Sequence, residues 1–313
     1  MWRSAAGLLL IIHTTLTLIL QLAALAIPGL AQWLGSDTLF GLVTRTVLMQ
    51  GGLILLPTLL LIVLQHLPAE MVAGDRSRPS SLMLAAIIGV PAAVVFQGLN
   101  NLILYFLVRF GWELPKVNAI ADRYSTGLWQ QSIQVIAVMV LIRVLTPAVI
   151  EELMFRGVVQ GSLLSRGAPA AAIFWQAVAF SLFHNDPLFI VPPLLAGLLL
   201  GYLRQNGNSL LPSMVAHTSL NLTLLVISPI LPRLTAQYLR ISTQTSLSLF
   251  YASLIATFVA AVALVPLLAL VSQLKRADGQ EIRPLVIFPG DWKFALALLM
   301  LIVTMMVTYY QSI

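Results

Sequence analysis

The chain has 313 residues, 59% of them hydrophobic and 9% charged, against roughly 25% charged in an ordinary soluble domain; its mean hydropathy is +0.95. That much apolar surface exceeds what a soluble fold of this size can bury, which excludes a soluble enzyme, and the shortage of polar residues excludes a disordered chain. The 17 Lys and Arg against 11 Asp and Glu leave a net charge of +6, scattered between apolar blocks rather than gathered in a patch, so no nucleic-acid partner is expected.

A helix crosses a bilayer with roughly 20 apolar residues. Stretches free of Asp, Glu, Lys and Arg run over 4–36, 46–69, 79–108, 124–142, 167–185, 187–203, 205–232, 241–274 and 294–313. The first follows Arg3 and contains Ala24-Leu25-Ala26 in the manner of a cleavage site. Its apolar run nevertheless exceeds the roughly 7–15 residues of a signal core, so it reads as a retained helix. The fourth stretch runs into a further apolar block, 142–164, interrupted by Arg143, Glu151, Glu152 and Arg156. Joined, the two predict one helix with charges in its second half. Unbroken apolar runs favour helices over the alternating strands of a barrel. The expected fold is therefore all-α, a polytopic membrane bundle of about eight or nine transmembrane helices, in which the short pair around His184 is the least span-like. With no repeat and no appended soluble domain, residues 1–313 read as a single integral membrane domain embedded in the lipid bilayer.

Loop charges sort by side. Arg3, Arg76, Arg78, Arg166, Arg204, Lys275, Arg276, Arg283 and Lys293 belong to the N-terminus and every second loop, while Arg109, Lys116, Arg123, Arg233 and Arg240 belong to the others. The excess on the first side predicts a cytoplasmic N-terminus. The absence of cysteine removes disulfides, thiolate metal sites and cysteine nucleophiles. Chemistry is left to carboxylates, imidazoles, hydroxyls, or a metal held by oxygen and nitrogen.

Charge inside a spanning segment costs several kcal/mol and marks function or a partner. In Glu151-Glu152-Leu153-Met154-Phe155-Arg156 the two carboxylates project about 100° apart on a helix. Arg156, four residues after Glu152, can pair with it. Glu151 points elsewhere with no local partner, which suits a reactive carboxylate beside a structural ion pair; a solvated helix end with an ordinary ion pair is the plainer alternative. His184 ends the run Phe180-Ser181-Leu182-Phe183-His184, and His217 and Asn221 share one helix face in His217-Thr218-Ser219-Leu220-Asn221. Singly, these are packing or helix-gluing residues as readily as catalysts. Together, Glu151, His184, His217 and Asn221 would supply a base and hydrogen-bond donors around one water, or the donors for a divalent metal such as zinc. His13 and His66 lack a comparable pattern and read as packing or interfacial residues.

The order EExxxR, FxxxH, HxxxN resembles the CPBP family, which comprises CAAX prenyl endopeptidases and bacteriocin-processing or immunity (Abi) proteins. The resemblance covers about residues 146–225, the motif-bearing core, and all matched positions are intact. It implies a polytopic helical intramembrane endopeptidase. Glu151 and His184 would activate the hydrolytic water, His217 and Asn221 would stabilise the oxyanion, and Glu152 with Arg156 would support them. In a metal-dependent variant, Glu151, His184 and His217 would be the ligands instead; a metal-independent water is slightly preferred. The implied substrates are membrane-embedded or lipid-anchored peptides and proteins. A rhomboid GxSG, a presenilin-type GxGD and a site-2 HExxH are all absent from the sequence. The competing readings are a membrane transporter or proton relay through Glu151, Glu152 and His184, and a non-catalytic immunity or scaffold protein. One geometric expectation is awkward: consecutive antiparallel helices would put Glu151 and His184 on opposite membrane faces, unless residues 157–166 form an interfacial turn.

Overall fold

A computed structural model describes residues 4–34, 36, 38–110, 131–165, 168–227, 246–273 and 290–310. Nine principal helices stand among the described residues. They are α1 (Ala5–Ala26), α2 (Leu39–Leu64), α3 (Pro79–Arg109), α4 (Ile133–Leu164), α5 (Pro169–Phe183), α6 (Val191–Gly207), α7 (Leu210–Ile227), α8 (Ser246–Gln273) and α9 (Trp292–Tyr310). Six of these, α1–α4, α8 and α9, are long and apolar enough to cross a membrane, and α5 and α7 are shorter apolar helices. The protein is thus an all-α, multi-pass integral membrane protein. Phe258, Val259, Val262 and Val265 are among the large apolar residues left exposed on α8, as expected of a face turned to lipid rather than water.

The core forms where helices approach on small residues. A Cβ at Gly7 would fall 2.5 Å from the Phe294 nitrogen, so α1 and α9 meet almost backbone to backbone. Gly197 of α6 lies against Ala177 of α5 in the same way, where an added Cβ would be 2.7 Å from the Ala177 Cα. Small residues substitute in lipid for the hydrophobic drive that packs soluble helices. Buried amides fasten α6 to its neighbours: Gln160 Nε2 of α4 donates to the Gly201 carbonyl at 3.0 Å, and Gln176 Nε2 of α5 to the Gly197 carbonyl at 2.6 Å.

Helix α4 is central, packing against α1, α2, α5 and α7. Its turns widen at Leu141–Leu145 and Leu153–Val159. The first has a local cause: Pro147 lacks an N–H and its ring crowds the carbonyl four residues back. The Thr146 amide correspondingly reaches back five residues to Leu141. Beyond the second wide turn the helix continues unbroken to Leu164, so the interfacial turn expected over residues 157–166 is not there. The chain reverses only between Leu164 and Pro169.

The alternation read from loop charges is visible in contacts between loops. Gly74 pairs with Ser209, and Asn208 Nδ2 donates to Asp75 Oδ2 at 3.0 Å, which puts the α2–α3 connection and the α6–α7 turn on one side. Met71 meets Gly161 near the end of α4, and Lys293 meets Gly7 near the start of α1, on that same side. Arg3, Lys116, Arg123, Arg166, Arg233, Arg240, Lys275, Arg276 and Arg283 lie outside the described residues.

Candidate active site

Antiparallel pairing solves the awkward geometry. Glu151 lies thirteen residues before the end of α4, and His184 fifteen residues after the start of α5. At about 1.5 Å per residue both stand roughly 20 Å from the reversal, hence level with each other. His184 feels the charge of Glu151 directly. The two are on one level because α4 runs on past its charged motif to Leu164, with no interfacial turn after residue 157.

Glu152 and Arg156 are both fully buried, with Arg156 Nη1 2.7 Å from Glu152 Oε1. The i, i+4 pairing read from the spacing is therefore present. The same oxygen accepts from His217 Nδ1 at 2.8 Å, across from α4 to α7. Ser213, one turn before His217, sets its hydroxyl beside this carboxylate but directs its hydrogen to the Leu210 carbonyl at 2.8 Å. The guanidinium lies 4.3 Å from the centre of the Phe180 ring, a contact worth about 2 kcal/mol where water is excluded.

Phe180 is thereby more than a motif letter. Its ring contacts Phe155 at 5.0 Å, His184 at 4.8 Å and His217 at 6.0 Å between centroids, all edge-on. Its carbonyl accepts from His184 Nδ1 at 2.8 Å. One residue thus sets the plane of the Arg156 cation and the tautomer of His184. The i, i+4 spacing of Phe180 and His184 was the available signal for that role.

His184 closes α5 because Asn185 follows in the left-handed region at φ 54°, which asparagine adopts at helix ends more readily than most residues. Asp186 Oδ1 then accepts from the Leu188 amide at 3.0 Å, and the Ser181 hydroxyl donates to the Ile190 carbonyl at 2.7 Å, bracing the turn. With Nδ1–H donated to Phe180, Nε2 of His184 keeps a lone pair. His184 is exposed, Asn221 half-buried, and Glu151 and His217 buried, so the cluster opens at its His184 edge.

One reading of the residues needs correction. Glu151 has a partner: Gln50 Nε2 of α2 donates to its Oε1 at 2.9 Å. No spacing rule links positions 101 residues apart, and Gln50 was not foreseen. His217 is held by Glu152, and Asn221 has no hydrogen-bond partner among the described residues. His13 is a packing residue: its Nδ1 meets the Leu53 carbonyl at 3.0 Å and its ring lies 4.6 Å from Phe183. His66 is exposed, in the left-handed turn that follows α2.

A metal would need several of these side chains turned to one point. Among the described residues no three His, Asp or Glu side chains are so gathered, and Glu152 Oε1 is already engaged by Arg156 and His217. The arrangement does not fit a three-ligand centre.

Fold and site together define a multi-pass helical membrane protein that buries a carboxylate–imidazole–guanidinium centre where α2, α4, α5 and α7 meet. Residues 133–223 match the family described as type II CAAX prenyl endopeptidase Rce1-like, a stretch that takes in α4, α5, α6 and nearly all of α7. The resemblance drawn from the three motifs is borne out over that segment. The chain is also 24% identical over 173 residues to a protein of Bacillus subtilis (strain 168) named Putative membrane peptidase YdiL, covering 55% of this chain and 67% of the relative. No solved structure matches the chain.

Proposed function

We propose that the protein is an intramembrane endopeptidase that hydrolyses peptide bonds of membrane-associated substrates with a water activated by Glu151 and His184. The observation that carries this is the level placement of Glu151 and His184 on antiparallel helices, with the Nδ1 hydrogen of His184 committed to Phe180. Water has two hydrogens to give; a carboxylate oxygen and the free Nε2 of His184 are two acceptors for them. As the water oxygen attacks the scissile carbonyl, Glu151 takes its proton and later returns it to the leaving amine. His217 and Asn221 supply donors to the carbonyl oxygen as it becomes negative. Because Glu152 holds the Nδ1 hydrogen of His217, a donor at Nε2 belongs to the doubly protonated ring, with Glu152 as its counter-charge. Carboxylates orient histidines in the same manner in serine-protease triads.

Substrates enter at the exposed His184 edge, as membrane-embedded or lipid-anchored segments. The excess of basic residues on the opposite side supports a cytoplasmic N-terminus, with the His184 edge at the other surface. The test is cleavage of a membrane-peptide reporter by purified protein. Glu151→Ala and His184→Ala each abolish turnover while the protein stays folded, and a chelator leaves wild-type turnover unchanged. Full activity in both variants refutes the protease reading, and loss on chelation restored by zinc refutes the metal-free water.

A further inference from the structure

The helix that supplies Gln50 lies outside the segment matched to the peptidase family, yet its amide touches the residue on which hydrolysis turns. We propose that Gln50 is a positioning residue that holds Glu151 through both of its protonation states. The proposal rests on Glu151 being the base assigned above.

Gln50 sits on a widened turn of α2, Val47–Leu55, in which the Leu56 amide reaches back five residues to Gly51. Such turns redirect side chains and recur at functional sites. Its Nε2 donates to Glu151 Oε1 at 2.9 Å, a bond between helices 101 residues apart in sequence. Its own carbonyl oxygen is buried and accepts from no described residue. An amide in lipid with one end committed and the other idle carries a cost that needs a reason. The reason is the chemistry of its partner. Ionised Glu151 accepts hydrogen bonds only, and the Nε2 hydrogens suit it. When the other oxygen takes the proton of water, Oε1 remains an acceptor, so the same Nε2 bond holds the carboxyl in both states. A lysine or arginine in this place would add a charge that favours the ionised form over the protonated one.

The other charged or titratable groups around Glu151 are Glu152 and Arg156 on its own helix and His184 at the end of α5. None of them hydrogen-bonds to it. Gln50 is thus the one fixed restraint on the carboxylate among the described residues, and its second oxygen is left to the water.

The experiment compares Gln50→Met, which fills the same space without a polar group, with Gln50→Ala and with Glu151→Ala as control. All are measured on the membrane-peptide reporter, with the folded fraction followed by thermal unfolding in detergent. A displaced catalytic group costs about 10²-fold in rate. Both Gln50 variants are expected to lower kcat by about 10–100-fold, with KM unchanged and Gln50→Met as thermally stable as wild type. Gln50→Met with wild-type kcat shows that Gln50 only fills space and overturns the proposal. A rise in KM at constant kcat also overturns it, by assigning Gln50 to substrate binding. Should Glu151→Ala still cleave, the catalytic reading of Glu151 falls instead.

Discussion

Removing the Arg156 cation should expose how far the centre depends on charge balance. Arg156 and Glu152 have no solvent exposure and meet at 2.7 Å, and the same carboxylate oxygen holds His217 at 2.8 Å. Arg156→Met keeps much of the side-chain volume beside Phe180 but leaves Glu152 with His217 as its only charge partner. Breaking a buried pair by deleting one member costs about 3–5 kcal/mol, because the remaining charge stays in a medium that solvates it poorly. The lost contact with Phe180 adds about 2 kcal/mol or less. Glu152→Gln strands the cation and should cost a similar amount. The double variant Glu152→Gln/Arg156→Met contains neither charge and should recover most of the loss. A double-mutant cycle of reversible unfolding in mixed micelles would then yield a coupling energy of several kcal/mol. The reasoning fails if Arg156→Met is as stable as wild type, or if the double variant is as unstable as the two losses added together.

Gly89→Ala forces a Cβ to within 2.6 Å of the Ala216 carbonyl oxygen and the Ser219 Cβ, both parts of α7 that cannot swing aside. The helices must separate, at a cost of about 1–3 kcal/mol, and kcat should fall with it because His217 lies next to Ala216; an unchanged unfolding temperature and kcat refute this. The cysteine-free sequence allows an unambiguous test of topology. Single cysteines at Glu70 and Gln131, at opposite ends of the helices they flank, should react with an impermeant thiol reagent from opposite sides, Gln131→Cys in intact cells and Glu70→Cys only after lysis. The reverse pattern inverts the orientation drawn from the basic loops.

The bundle was legible because lipid imposes its rules on composition. Each stretch without charge holds one principal helix among the described residues, and the apolar blocks on either side of Arg143 fused into α4. Among the described residues, those flanking Arg76, Arg204 and Lys293 lie together, as their alternation required. The exact extent of α4 was not readable. The charges were expected in the second half of one helix, and they lie there, buried against α5 and α7. The expected turn over residues 157–166 is instead a continuation of α4 to Leu164.

The site divides along the same line. Contacts within a helix, such as Glu152 with Arg156 and Phe180 with His184, follow from a spacing of four and could be read directly. Contacts between helices could not. Gln50 with Glu151 and Glu152 with His217 depend on the depth and rotation of helices that share no register, and both changed the chemistry. Glu152 was expected with Arg156 as a supporting pair; by also holding Nδ1 of His217 it leaves Nε2 as the free nitrogen of that ring. Glu151 had been a base with no partner; with Gln50 on one oxygen, it presents the other in a set direction. A carboxylate that rotates freely would offer the water a spread of geometries, few of them productive. Under the role proposed for Glu151, the bond from α2 narrows that spread and adds to the site a helix that no motif marks.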